Sequence, residues 1–239
     1  MDAAETHVPW ATHKELQLGS QPSRRYACGH KFFPTPDLFL AVSYQPQPDS
    51  PNSVDVLCDN TGRGKAIAAY LSPFDAMIDA AQSSRPGRLY HVVPAHEFDP
   101  SEFIADHDNQ LRLALHLGWA ALDQKLILRP RGEPAACSTM QEQHVLAEDL
   151  DHIEFNIKKA ISDAFDRLRE HAGLFTYRET FRDILGWSEQ RRHQAVAKAI
   201  VSIPGTLSSF TDWNRVALYD PEFEQWHFVS STLLDDLSD

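Results

Sequence analysis

Leu111-Arg112-Leu113-Ala114-Leu115-His116-Leu117-Gly118-Trp119-Ala120-Ala121-Leu122 is the stretch whose reading decides the fold. Its first half places leucine at every second position, the period of a strand with one face in a core. Its second half is apolar throughout, which suits a strand buried on both faces or a buried helix equally well. It is too short to cross a bilayer, and Arg112 and His116 interrupt it. KLILRP, from Lys125 to Pro130, follows closely and can pair with it as a strand.

Toward the N-terminus the signals are those of short strands and short helices. DLFLAVSY (Asp37 to Tyr44) is strand-like, and the proline-rich QPQPDSPNS after it is a loop. VDVLC (Val54 to Cys58) and KAIAAYLS (Lys65 to Ser72) flank the turn-rich DNTGRG and read as a hairpin. Ser72-Pro73-Phe74-Asp75 opens a helix to about Ala81: serine accepts from free amides, and proline suits the first helical position. RLYHVV (Arg88 to Val93) is the next strand, and Asp99-Pro100-Ser101-Glu102 repeats the helix-start chemistry. Residues 1 to about 30 are polar and irregular. Residues 1–135 therefore read as an α+β domain with a mainly antiparallel sheet and short helices.

RGEPAACST, from Arg131 to Thr139, has the composition of a linker, and residues 136–239 read as a helical module ending in a β-hairpin. Leu146, Leu150, Ile153, Ile157, Ile161, Ala164 and Leu168 recur at helical spacing and predict one long helix ending near Gly173. Thr176-Tyr177-Arg178-Glu179 has the capping-box pattern, so a second helix starts there and stops at Gly186. Ser188 caps a third helix that ends before Pro204-Gly205. RVALY and QWHFVS bracket DPEFE as a hairpin, and the acidic tail LLDDLSD frays. Over residues 145–230 this order of helix, turn, helix and hairpin resembles a winged-helix module, with Ser188 to Ile200 in the recognition position. That resemblance implies DNA contacts through Arg191, Arg192, His193 and Lys198. The hairpin loop departs from the pattern: Asp220, Glu222 and Glu224 would face phosphates with the wrong sign.

Composition places the chain among ordinary globular proteins: 239 residues, 42% hydrophobic and 23% charged, with a formal charge of -12. That charge opposes binding to nucleic acid or anionic membranes through the overall field, and favours a basic partner. Cys28, Cys58 and Cys137 are odd in number and widely spaced, which fits a reducing compartment. MDAAETHVPW lacks the basic and apolar regions of a signal peptide, so a cytoplasmic location is expected.

The catalytic and metal motifs all fail by a residue or more. Thr61-Gly62-Arg63-Gly64-Lys65 resembles part of a phosphate-binding loop, but Ala66 stands where a hydroxyl is needed and the upstream glycine is missing. Cys28-Gly29-His30 offers two zinc ligands with no second pair. His144, Glu148 and His152 are spaced by four, yet the outer two would lie about 12 Å apart along a helix, too far to share one ion. His96-Glu97 lacks the second histidine of a zinc-protease motif. No metal, no cofactor and no enzymatic activity is expected; a Cys–His hydrolase using Cys58 or Cys137 is a third alternative.

The charge map is more informative. Leu89 to Leu111 holds five acids and no Lys or Arg, Gly132 to Ile157 holds six, and Val216 to the end holds six more. Single-sign stretches speed encounter with an oppositely charged partner. The leading expectation is a bacterial-type acidic binding protein that neutralises a basic toxin or enzyme, functionally analogous to immunity proteins. Asp106, Asp108, Glu148, Asp149, Asp151 and Glu154 are the expected partner-binding residues. The alternative is a DNA-binding regulator acting through Arg191, Arg192, His193 and Lys198.

Overall fold

The computed structural model describes residues 38–44, 54–130, 132–150, 153–205 and 212–237. The fold is mixed α+β, built on a ten-stranded, mostly antiparallel sheet. In chain order the first strands are β1 (Phe39–Tyr44), β2 (Val54–Val56), β3 (Cys58–Thr61) and β4 (Gly64–Tyr70). Helix α1 (Pro73–Ser83), β5 (His91–Pro94) and the one-turn α2 (Ser101–Ala105) lead into β6 (Gln110–Leu122). Then come β7 (Lys125–Leu126), β8 (Ala136–His144), α3 (Lys159–His171), α4 (Tyr177–Gly186), α5 (Glu189–Val201) and the hairpin of β9 (Arg215–Asp220) and β10 (Gln225–Ser230).

The ambiguous stretch is a strand, and it is the spine of the molecule. β6 pairs with β4 in parallel and with β7, β8 and β9 antiparallel. Two-sided pairing and two covered faces explain why the run is apolar throughout. A bulge between His116 and Gly118 then reverses its facing. Leu111, Leu113, Leu115 and Leu117 pack with α3, whereas Trp119 and Ala121 pack with α1, α4 and α5. Gly118 is required at this point: an added Cβ would sit 2.5 Å from Val216 Cγ1 and 3.1 Å from the Ala217 carbonyl oxygen.

Several local expectations hold. Ser72 caps α1 by accepting from the Asp75 amide at 3.2 Å. Thr61 to Gly64 is a hairpin turn with Gly64 at φ 111°, and the Thr61 hydroxyl bridges the Arg63 amide and the Gly64 carbonyl. β9 and β10 form the C-terminal hairpin.

Others are corrected. The supposed linker contains the start of β8, which runs along β6 and buries Cys137. The long helix does not form: residues 153–158 are extended and α3 begins only at Lys159. Ile153, Ile157 and Ile161 are four apart, and four is also a multiple of the strand period, so the spacing fits both. Buried Phe155, between the first two, follows the strand period. Gln141 fixes this segment from β8, donating to the Asn156 carbonyl at 2.7 Å and accepting from the Lys158 amide at 3.0 Å. Thr176 precedes α4 without a side-chain capping bond. Residues 231–237 form a 3-10 helix against α3 rather than a frayed tail, with Leu234 buried and Arg167 donating to the Leu233 carbonyl.

β8 follows residue 135 and the hairpin lies further on, yet both pair with β6. One sheet thus takes strands from either side of the expected boundary. The hairpin that would be a wing is a part of this sheet and not a free ribbon.

Candidate functional site

β6 and β8 join two acidic stretches that lie far apart in sequence. Gln110 is opposite His144, and the Val145 amide donates to the Asn109 carbonyl at 2.9 Å. The turn carrying Asp106 and Asp108 is therefore beside the exit of β8, which carries Glu148 and Asp149. Asp108 and Asn109 take left-handed backbone angles, φ 56° and 58°, which Asp and Asn tolerate better than most residues. Gln143 donates to the Glu154 carbonyl at 3.0 Å, which brings the extended segment to the same end of the sheet. Alternation then buries Ile153 and Phe155 and leaves Glu154 outside.

Asp106, Asp108, Glu148, Asp149 and Glu154 are all exposed, and among the described residues no ion pair engages them. Asp151 lies outside the described residues. Leu146, 50% exposed, adjoins the carboxylates at this end.

The other acids are more opposed than their sequence neighbourhoods imply. Glu142 pairs with Arg63 at 3.3 Å and Arg112 at 3.5 Å, Glu133 with Arg85 at 3.4 Å, and Asp236 with Arg167 at 3.4 Å. Long-range folding supplies these cations.

Comparisons with protein-family models, curated proteins and solved structures found no match.

The basic residues lie on α5, a separate element. Arg191 stacks on Trp187, its guanidinium carbon 3.9 Å from the ring centre, and Arg191 and His193 are exposed. Lys198 is paired with Glu224 from the hairpin turn, so one expected phosphate contact already has an acidic partner.

A buried polar cluster escaped the sequence reading. Trp119 Nε1 donates to Asp75 Oδ1 at 3.2 Å, and Arg169 Nη2 donates to Asp75 Oδ2 at 3.4 Å. His116 Nδ1 lies 3.9 Å from the same carboxylate, and neither of its ring nitrogens has a hydrogen-bond partner among the described residues. The bulge in β6 is what places His116 and Trp119 together, their rings 4.5 Å apart and edge-on. The Arg169 guanidinium lies over the Phe165 ring at 3.3 Å. Burial lowers the His116 pKa to about 4 and that of Arg169 to about 10, so at neutral pH the histidine is neutral and the arginine charged. Nearby, the Tyr70 hydroxyl donates to Asp79, whose pKa burial raises to about 6. Two signals pointed here: a histidine within an apolar run, and an aspartate in the first turn of a buried helix.

Burial acts on Cys58 and Cys137 in the same way. Burial raises their pKa to about 11 and about 12, which keeps both thiols protonated at neutral pH. Cys28 and His30 lie outside the described residues. Among the described residues no group of three or more His, Cys, Asp or Glu is placed to hold a metal ion. No described helix is long and apolar enough to cross a membrane.

Proposed function

We propose that this chain is a binding protein that captures a basic protein partner through the acidic end of its sheet, as an immunity protein neutralises a toxin. One observation supports the reading: β6–β8 pairing and the Gln143–Glu154 hydrogen bond bring the segments that carry exposed Asp106, Asp108, Glu148, Asp149 and Glu154 to the same end of the sheet. Unpaired carboxylates at one end of a sheet focus the field outward and raise the on-rate of a cationic partner. Leu146 then supplies apolar contact once the charges have aligned the two surfaces.

The test is binding, by surface plasmon resonance at low salt, to a basic protein that co-purifies with this chain. Reversal of four exposed charges (Asp106→Lys, Asp108→Lys, Glu148→Lys, Asp149→Lys) is expected to slow association at least tenfold, within the range of steered encounters. An unchanged on-rate and affinity would refute the reading. The second reading, DNA binding through α5, is supported by exposed Arg191 and His193 and weakened by the Lys198–Glu224 pair. A gel shift at low salt, with Arg191→Ala/Arg192→Ala as control, decides it.

A further inference from the structure

The groove between α3 and α4 is separate from the acidic end of the sheet. Its volume is about 210 Å³, and Phe39, Phe165, Phe181 and Leu185 provide apolar wall. Phe39 and Phe165 are buried and form its inner end; Arg178 and Arg182 are exposed and stand at its mouth. These two arginines are four residues apart on α4, hence on the same face of the helix. Asp166 engages Arg178 at 2.9 Å and also accepts from the Tyr177 hydroxyl. Arg182 has a much looser partner, Glu179, at 4.0 Å and largely in solvent.

The groove therefore combines an aromatic interior with two arginines against one carboxylate, Asp166, in its lining, while Glu179 beside the mouth partly offsets Arg182. We propose that it binds a small amphipathic anion, with a compact apolar body resting against Phe181 and Leu185 and a single carboxylate or sulfonate at Arg182. Phe181 offers a partly exposed ring and Leu185 an exposed aliphatic side chain for that body to cover. A guanidinium binds such anionic groups in a forked, two-bond geometry. The volume lies below the usual range for drug-sized ligands, which limits the body to about two fused rings.

The 239-residue chain is titrated calorimetrically with three probes of one shape: 1-naphthoate, 1-naphthalenemethanol and 1-naphthylmethylammonium. Naphthoate is expected to bind at least tenfold more tightly than either of the others. Arg182→Gln should weaken naphthoate about tenfold, the loss of one charge-assisted contact. Glu179→Gln should tighten it, because it removes the competing carboxylate; a merely structural role for this pair would not produce opposite shifts. Both side chains are exposed, so both variants keep the fold. Amide shifts on binding should centre on residues 157–185. Equal affinity for the neutral probe, no heat from millimolar naphthoate, or unchanged binding in both variants would overturn the proposal.

Discussion

Replacing Asp79 by asparagine should reveal a pH dependence that the native protein conceals. His116 titrates at about 4 when folded and at 6.5 in the reference state. Between these values the unfolded chain holds one more proton, so stability falls as pH is lowered, by about 1.4 kcal/mol per pH unit. The full loss is about 3 kcal/mol near pH 4. Asp79 behaves oppositely: its carboxyl titrates at about 6 when folded against 3.8 in the reference state. Here the folded chain holds the extra proton, so stability falls as pH is raised through the same window. The full cost is at most about 3 kcal/mol above pH 6, reduced by the partial solvent contact of Asp79.

The two slopes nearly cancel between pH 4 and 6. Asparagine removes the carboxylate slope, and its amide oxygen can still accept from the Tyr70 hydroxyl. Urea unfolding followed by tryptophan fluorescence, from pH 4 to 7.5, reads the outcome. Relative to the native protein, Asp79→Asn should gain about 2–3 kcal/mol as pH rises from 4 to 7. Parallel stability curves for the two proteins would refute the account of Asp79 as a carboxylate charged at a cost.

Asp75→Asn should cost about 3–5 kcal/mol at pH 7, because it leaves the Arg169 guanidinium buried without a counter-charge. The pair Asp75→Leu/Arg169→Met should recover much of that loss in the same urea assay; equal destabilisation of the double variant would show that packing, not charge, dominates. In a Cys28→Ser background, native Cys58 and Cys137 should react with an aromatic disulfide reagent at pH 7.5 far more slowly than in urea, and rapid native labelling of Cys137 would contradict its burial.

The class of the fold was legible because its strands and caps are local. Ser72 and Pro73 specify the start of α1 in four residues, and the β9–β10 hairpin is marked by DPEFE. The face reversal in β6 was not legible, because it depends on the approach of Val216 and Ala217 to Gly118 from a strand about 100 residues later. The missing long helix has a similar cause. Ile153 and Ile157 satisfy two periods at once, and only the hydrogen bonds of Gln141 and Gln143 select the extended one. The acidic site was read residue by residue, but its unity was not, since it requires the pairing of Gln110 with His144. Leu146 was assigned to a helix core and is instead exposed.

The five described carboxylates differ in what their own backbone asks of them. Asp108 occupies a left-handed position that aspartate tolerates, and Glu148 and Asp149 open a short 3-10 turn, where acidic residues favour the free amides. Local structure accounts for these three. Asp106 ends α2, the helix pole that repels a carboxylate, and Glu154 points outward from an extended segment that uses only its backbone carbonyl. Among the described residues neither side chain has a hydrogen-bond or ion-pair partner. Residues kept against or without local preference are where function is expected to show. Asp106 and Glu154 therefore mark the proposed binding surface more than the bulk charge of the chain does. The other three acids strengthen the field that a basic partner would meet.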